Sequence, residues 1–287
     1  MTDLRSVLTL FFDLFDREIV ALILALPRVY AFLSSSGLLA GTAVPRPARV
    51  AITLALAIVP AGINLAYVDQ FDRQPATLAI FTAKETALGF VLGYMVGWLF
   101  WAVQAAGALI DNQRGSSMAS TVDPLQGHET SLLGIAFSQV FITYVFITGG
   151  ALPIIGLLYR SFVIWPAPRG LPVITDEFAK LALGVMDEAV RFVVVTAGPI
   201  VAIMFLAEFA LAMVSRFAPQ IQVFILAMPI KSALAMFVLV FYFSSLLPYA
   251  ASQEALFGRY VQRLYTMMSD VGGYPPPPPL ASPGVVP

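Results

Sequence analysis

Residues 86–110 read TALGFVLGYMVGWLFWAVQAAGALI and contain no charged side chain. An α-helix needs about 20 predominantly apolar residues to cross the roughly 30 Å hydrocarbon core of a bilayer, so this stretch is long enough to span a membrane. Gly89, Gly93 and Gly97 recur four residues apart and therefore share one face of such a helix. A stripe of small residues lets a second helix approach closely in lipid. The stretch predicts a membrane helix packed against a neighbour, from the same chain or from another.

The whole chain of 287 residues has the composition of an integral membrane protein. It is 59% hydrophobic and 11% charged, with a mean hydropathy of +0.85, whereas soluble domains carry about 25% charged residues. Further segments that approach or exceed spanning length are 50–68, 130–159 and 232–253 without a charge, 19–41 with Arg28 inside, and 192–215 with Glu208 inside. We therefore predict an all-α membrane fold.

The distribution of charge says little about orientation. The loop AVPRPAR, residues 43–49, carries Arg46 and Arg49 with no acid, which favours the cytoplasmic side of the membrane. The other loops are nearly balanced. So weak a bias raises the alternative that some apolar helices pack against protein partners instead of lipid.

Several function classes are excluded by residue types. The chain has no cysteine and a single histidine, His128, so it cannot build a cysteine site or a two-histidine metal site. It contains no phosphate-binding loop and no Gly-x-Ser-x-Gly elbow. The net charge of -1 gives no basic footprint for nucleic acid. We predict no cofactor and no enzymatic activity. An intramembrane hydrolase would need His128 beside a serine, and a solvated loop histidine is the simpler interpretation.

The chain divides into two apolar blocks with a polar linker between them. We predict a first block at 1–159, a linker at 160–191, a second block at 192–269 and a disordered proline-rich tail at 270–287. The linker contains TDEFAKLALGVMDEAVRF, where apolar residues recur at helical spacing beside acids. This pattern predicts an amphipathic helix outside the hydrocarbon or on a partner.

Charges and prolines mark a bend inside the second block. Glu208, Arg216 and Lys231 lie within or beside apolar sequence, where isolated charges usually face protein or water. The intervening segment 217–230 is too short to span a membrane. It is also interrupted by Pro219 and Pro229, and it carries the polar side chain of Gln220. The pattern predicts two apolar helices joined by a bent hairpin tip, and an ordinary loop with interfacial charges is an equally good interpretation.

A polar insert follows the first glycine-striped helix. Residues 107–134 read GALIDNQRGSSMASTVDPLQGHETSLLG. Asp111, Asn112 and Gly115 favour leaving the helix after Ile110, and Ser131 or Thr130 can cap the next helix. Loops of more than about 12 to 15 residues without regular structure are often functional. The insert is either a solvated surface loop or a constriction in a pathway lined by the preceding helix.

Three long motifs in the chain are similar to one known family. FWAVQAAGALIDNQRGSSMASTVDPLQGHETSLLG, LPRVYAFLSSSGLLAGTAVPRPARVAITLALAIVP and RFAPQIQVFILAMPIKSA resemble signatures of the T subunit of the bacterial type III secretion export apparatus, a relative of the flagellar protein FliR. The resemblance covers residues 24–247. It implies long bent helical hairpins, a first block similar to the R-type (P-type) subunit and a second block similar to the S-type (Q-type) subunit.

The resemblance also implies a function and partners. A T-type subunit closes a ring with several R-type and S-type subunits, and it contacts the switch subunit and the export-gate ring protein. The expected location is the bacterial inner membrane, with a multi-pass sequence and an assembly raised toward the periplasm. The expected role is to form and seal the channel for unfolded secreted polypeptides. A secondary transporter for a small solute is the alternative.

In this resemblance the loop 111–129 is a plug in the central pore. The candidate plug residues in this sequence are Asp111, Gln113, Arg114, Gly115, Ser116, Met118 and Asp123. Arg114 would hold the closed state by pairing with an acid that the sequence does not identify. The candidate subunit contacts are Glu208, Arg216, Pro219, Gln220, Pro229 and Lys231.

Overall fold

A computed structural model describes residues 2–39, 44–70, 74–115, 131–167, 176–217 and 223–252, together with 259, 260, 262, 263 and 266. Throughout these residues the regular structure is helical, without a strand. The helices are α1 (Thr2–Ser35), α2 (Arg46–Asn64), a 3₁₀ helix (Leu65–Gln70), α3 (Pro75–Arg114), α4 (Leu132–Ile147), α5 (Ala151–Ile164), α6 (Asp176–Phe217) and α7 (Val223–Ser252). The predicted all-α membrane fold class is confirmed.

Five of the described helices are long and apolar enough to cross a membrane. They lie in α1, α2 with its 3₁₀ extension, α3, α6 and α7, and the number is six if α4 and α5 together form one broken crossing. These lengths exceed or match the span that hydrocarbon requires, so the chain is a multi-pass membrane protein.

The uncharged run 130–159 is not one helix, contrary to its length. Helix α4 ends at Ile147 and α5 begins at Ala151. Gly149 between them has a φ of +80°, a left-handed conformation that glycine adopts without steric cost and that ends helices. The Thr148 hydroxyl also donates to the carbonyl of Tyr144 at 2.9 Å.

Three other helix boundaries differ from the sequence predictions. Helix α3 continues through Asp111 to Arg114 instead of ending at Ile110, because the side chain of Asp111 finds partners that hold this last turn. The amphipathic segment of the linker is the beginning of α6, which continues without a break to Phe217. Pro229 likewise lies inside α7 instead of in a connecting tip. The predicted blocks and the tail stay predictions.

The chain packs as two compact units. The first comprises Met1–Gly97, Gly149–Ala182 and Phe257–Pro287, and the second comprises Trp98–Thr148 and Leu183–Leu256. In the first unit α1 packs along α2, and Leu24 of α1 is buried with Ala167 beside Val20, Leu78 and Phe81. This apolar centre adjoins the charged groups described below, since Lys84 contacts Ala167 and Phe81.

The glycine stripe determines how closely α1 and α3 pack. Gly89 lies against the backbone of Arg28, Gly93 against the carbonyl of Phe32, and Gly97 against the carbonyl of Ser35. A methyl group at any of these glycines would overlap α1 backbone atoms. The neighbour of the stripe therefore belongs to the same chain.

Aromatic pairs hold the second unit together. Phe100 of α3 meets Phe141 of α4 edge to face at 5.2 Å between ring centroids. Phe137 meets Phe243 of α7 in the same way at 6.0 Å, and Phe192 of α6 stacks on Tyr249 at 5.6 Å. Such pairs contribute about 0.5–1.5 kcal/mol each beyond their buried area. They link the helices that frame the polar insert.

Candidate functional site

The two ends of the polar insert meet at one carboxylate. Asp111, in the last turn of α3, is 1% exposed. Its Oδ2 accepts hydrogen bonds from the hydroxyl of Ser131 at 2.7 Å and from the backbone N–H of Leu133 at 2.8 Å. Its Oδ1 accepts from the guanidinium of Arg114. One side chain thus holds the beginning and the end of the segment 116–130, which itself lies outside the described residues. We call this arrangement the loop root.

The beginning of α4 stabilises the charge of Asp111. Ser131 is the N-cap of α4, and its Oγ accepts from the backbone N–H of Gly134 at 2.8 Å while donating to Asp111. The N-terminus of a helix carries partial positive charge and unpaired N–H groups. A carboxylate placed there gains about 0.3–1 kcal/mol, and up to about 2 kcal/mol when partly buried. The predicted cap at Ser131 is confirmed.

Close backbone contact fixes the loop root below Asp111. A Cβ built on Gly107 of α3 would lie 2.7 Å from the carbonyl of Leu133, and one built on Gly134 would lie 2.9 Å from the carbonyl of Gln104. Both glycines are required because no side chain fits between the two backbones. The loop root is therefore held by packing as well as by hydrogen bonds.

Arg114 connects the loop root to α7. Its Nη1 donates to the hydroxyl of Ser232 at 3.3 Å, and its Nε is buried without a hydrogen-bond partner. Gly115 has a φ of +87°, and a Cβ there would lie 3.6 Å from Cγ of Met228. The acid that pairs with Arg114 is thus Asp111, on the same helix. Gln113 is half-buried, whereas Ser116, Met118 and Asp123 lie outside the described residues.

The candidate subunit contacts are spread over α6 and α7. Nζ of Lys231 lies 3.4 Å from Oε2 of Glu208, with the lysine side chain 11% exposed and the glutamate side chain 49% exposed. Arg216 is exposed in the last turn of α6, and Pro229 is exposed on α7. Pro219 and Gln220 lie outside the described residues. The structure pairs two of the six residues with each other.

A buried ion cluster in the first unit was missed by the sequence analysis. Arg28 and Glu85 are both 0% exposed, and two parallel hydrogen bonds of 2.6 and 2.9 Å join them. Lys84 approaches the same carboxylate at 2.9 Å. The signals that could have found the cluster were Arg28 inside an apolar run and the Lys-Glu pair directly before residue 86.

The polar neighbours of the cluster come from the end of α5. Arg28 donates to the carbonyl of Trp165 at 2.8 Å and to the hydroxyl of Ser161 at 3.2 Å, and it stacks over the ring of Phe162 at 4.1 Å. Lys84 donates to the carbonyl of Ala167 at 2.5 Å. Buried charges are tolerated when they are paired and hydrogen-bonded. The cluster therefore joins α1, α3 and the end of α5.

The loop root and the ion cluster are arrangements for holding backbone in place. Within the described residues no group of three or more His, Cys, Asp or Glu is positioned to hold a metal ion. Each oxygen of Asp111 and of Glu85 accepts hydrogen bonds or pairs with a cation. Each of these carboxylates, with its partners on more than one element, holds together the elements that donate to it.

Comparison with known proteins adds an independent line. A model of the family described as bacterial export proteins, family 1, matches residues 19–255. The chain is 36% identical to the Yop proteins translocation protein T of Yersinia pestis over 251 residues, which covers 85% of this chain and 94% of that protein.

Two further relatives extend the similarity. The surface presentation of antigens protein SpaR of Salmonella typhimurium is 32% identical over 219 residues, with 75% of this chain and 77% of that protein covered. The flagellar biosynthetic protein FliR of Bacillus subtilis is 28% identical over 222 residues, with 77% and 85% covered. The family model's match, residues 19–255, includes α2 to α7 and the polar insert.

Proposed function

Because the chain belongs to the bacterial export proteins, family 1, we propose that it is the T-type subunit of a type III protein export gate. It helps to form and seal the inner-membrane channel through which unfolded proteins are secreted. Its role is structural and not catalytic. The names of the relatives, which refer to translocation and flagellar biosynthesis, support a place in an export apparatus.

The loop root is the observation that carries the sealing role. Asp111 accepts hydrogen bonds from residues on both sides of the segment 116–130, so the end of α3 and the beginning of α4 are held together. The segment is rich in small and hydroxyl residues, which would let a secreted chain pass without binding it strongly. Met118 in the same segment would pack against a closed pore without demanding one geometry.

The exposed apolar helices support assembly with partner subunits. Only 28% of the most apolar stretch of α6 and 24% of that of α7 is buried. Large apolar side chains on these helices are exposed, among them Phe205, Phe209 and Phe241. Surfaces of this kind must be covered by lipid or by protein. In our proposal R-type and S-type subunits cover part of them, and the switch subunit contacts the α6–α7 end near Arg216.

The pair formed by Glu208 and Lys231 fits an interface facing protein. Charged side chains at membrane depth are costly, and they usually face a bundle interior or a water-filled cavity. Glu208 keeps a side chain that is 49% exposed although its partner is nearly buried. A neighbouring subunit that supplies a donor would complete the coordination of this carboxylate.

Co-purification tests the assignment. We expect the chain, co-expressed with candidate R-type and S-type subunits, to purify in one complex whose mass contains a single copy of this chain and several copies of each partner. The control is the same co-expression with the S-type subunit omitted, which should leave an incomplete complex. A chain that purifies alone, folded and monodisperse, and that binds a small solute saturably would favour a transporter instead.

A further inference from the structure

The first unit carries an open apolar groove between α1, α2 and α3. It encloses about 400 Å³ and is lined by residues that include Tyr30 of α1, Val50, Thr53 and Leu54 of α2, and Thr86 of α3. All three helices are long and apolar enough to cross a membrane. The groove therefore opens toward hydrocarbon or toward another apolar surface.

The two threonine hydroxyls of the groove already have hydrogen-bond partners. The hydroxyl of Thr53 donates to the carbonyl of Arg49 at 2.8 Å, and the hydroxyl of Thr86 donates to the carbonyl of Thr82 at 2.8 Å. Neither hydroxyl needs a donor or acceptor from an occupant. The groove thus suits a purely apolar chain, because a polar one would lose its own hydrogen bonds without replacement.

Two arginines stand one helical turn before the groove. Arg46 precedes Val50 by four residues, and Arg49 precedes Thr53 by four, so both lie on the groove side of α2. Helical side chains lean toward the N-terminus. The Nη2 of Arg49 accordingly donates to the carbonyl of Val44 at 3.1 Å. The guanidinium groups lie beyond the end of the groove.

These arginines have no acidic partner among the described ion pairs. No Asp or Glu occurs in 19–68 or in 86–110, and the nearby acid Glu85 is paired with Arg28 and Lys84. The Nε of Arg49 is buried without a hydrogen-bond partner. The end of the groove therefore has uncompensated positive charge, reinforced by the N-terminus of α2.

We propose that the groove binds an acyl chain of an anionic phospholipid whose phosphate pairs with Arg46 and Arg49. Apolar volume lies between helices long enough to cross a membrane, and positive charge lies at its end, which is the order of chain and headgroup in a lipid. Tyr30, 59% exposed, is placed with its ring in the groove, as expected of an amphipathic side chain near the membrane interface. This site is independent of the export role.

Lipid retention by the purified full-length chain tests the site. The chain in detergent is titrated with phosphatidylglycerol or with phosphatidylcholine of the same acyl chains, and retained lipid is counted by native mass spectrometry. We expect preferential retention of phosphatidylglycerol. An Arg46→Gln/Arg49→Gln variant should bind it roughly 30-fold more weakly. Each basic residue near an anionic surface strengthens binding roughly fivefold, and the effects of the two residues multiply.

Matched variants separate charge, groove and fold. Lys180→Gln/Arg191→Gln removes the same charge from exposed positions of α6 and should leave retention unchanged. Arg46→Lys/Arg49→Lys keeps the charge and should keep most of the binding. Thr86→Trp fills the groove from an exposed position and should lower retention with both arginines intact.

Three results would overturn the proposal. Equal retention of the two lipids would show that the arginines do not select a headgroup. Undiminished binding by the Thr86→Trp variant would remove the groove. Retention of inorganic phosphate by the chain, with no retention of either lipid, would indicate an anion contact without a lipid site. Circular dichroism of each variant confirms that it is folded before the comparison is made.

Discussion

Asp111 is the residue on which the loop root depends. Its carboxylate accepts from Ser131, from the N–H of Leu133 and from Arg114 while being 1% exposed. Asp111→Ala would leave three donors without an acceptor, and each unsatisfied buried group costs about 1–3 kcal/mol. A destabilisation of about 2 kcal/mol at the loop root corresponds to roughly 30-fold more frequent opening.

Protease accessibility measures this opening. A site for a sequence-specific protease inserted after Ser120 should be cut roughly 30-fold faster in the Asp111→Ala chain than in the parent, because cleavage follows the open population when opening is fast. Asn112→Ala, at an exposed position of the same turn, is the control and should be cut at the parental rate. Equal rates for the two variants would mean that Asp111 does not hold the loop.

Glu85 and Arg28 should not be equivalent, although they form one ion pair. Glu85 is the anion for both Arg28 and Lys84. Glu85→Gln therefore leaves two buried cations uncompensated, whereas Arg28→Gln leaves a balanced pair of Lys84 and Glu85. Breaking a buried pair by removing one partner costs about 3–5 kcal/mol. We expect the destabilisation to lie at or above that range for Glu85→Gln and below it for Arg28→Gln.

Thermal unfolding in detergent checks the order of these two variants. Glu85→Gln should lower the midpoint more than Arg28→Gln does, and Glu177→Gln, at an exposed position in the first turn of α6, should change it little. The reverse order would contradict the shared role of Glu85. The sequence could not make this prediction, because residues 28 and 85 are brought together by tertiary packing and no local pattern relates them.

At the scale of elements, the glycine stripe sets the distance between α1 and α3. A Cβ at Gly93 would lie 2.6 Å from the carbonyl oxygen of Phe32, so Gly93→Ala must push two helices apart. Overpacking of this kind costs about 1–3 kcal/mol. Gly62→Ala is the matched control, since nothing lies within 4 Å of its Cβ position in α2, and it should stabilise the helix by about 0.5–1 kcal/mol.

The thermal midpoint of unfolding should shift in opposite directions in the two alanine variants. A fall for Gly93→Ala and a rise for Gly62→Ala are expected. A rise for both would show that α1 and α3 are not in contact along the stripe. The comparison is sharp because both substitutions add the same methyl group to a helix.

The extent of the helices was partly predictable from the sequence. Long apolar runs and the four-residue spacing of the glycines are local signals, and they identified α2, α3, α6 and α7 together with the close-packed face. The predicted end of α3 was wrong. Asp111 and Asn112 disfavour helix locally, but Ser131 and Leu133 stabilise Asp111 from the beginning of α4. The break at Gly149 was also missed: the pair Gly149–Gly150 is a turn signal, but the long uncharged apolar flanks on both sides favoured a continuous helix.

At the scale of the whole molecule, two kinds of charge placement coexist. Arg28 and Lys84 are buried and both pair with Glu85 inside one unit, whereas Glu208 remains half-exposed on a helix whose apolar neighbours are also exposed. The first arrangement is complete within the chain. The second is the arrangement expected of a subunit that receives the rest of its contacts from an assembly.

Replacing the loop tests whether it seals the pore of the assembled gate. Residues 117–128 are replaced by a short Gly-Ser linker, while Asp111, Arg114 and Ser131 are kept so that the loop root and the ends of α3 and α4 are unchanged. We expect the chain to enter the gate complex normally, because its helices and their exposed faces are intact. We expect the assembled gate to leak ions or small molecules, because the wall remains and its obstruction is gone.

A second replacement gives this experiment its control. A Gly-Ser loop of the original length keeps the bulk of the segment but removes Met118, Asp123 and the other side chains. If bulk alone seals the pore, only the shortened loop leaks. If particular side chains seal it, both loops leak. An assembled gate that stays as tight as the parent with both replacements would assign the seal to another part of the complex and leave the loop root as a purely structural junction between α3 and α4.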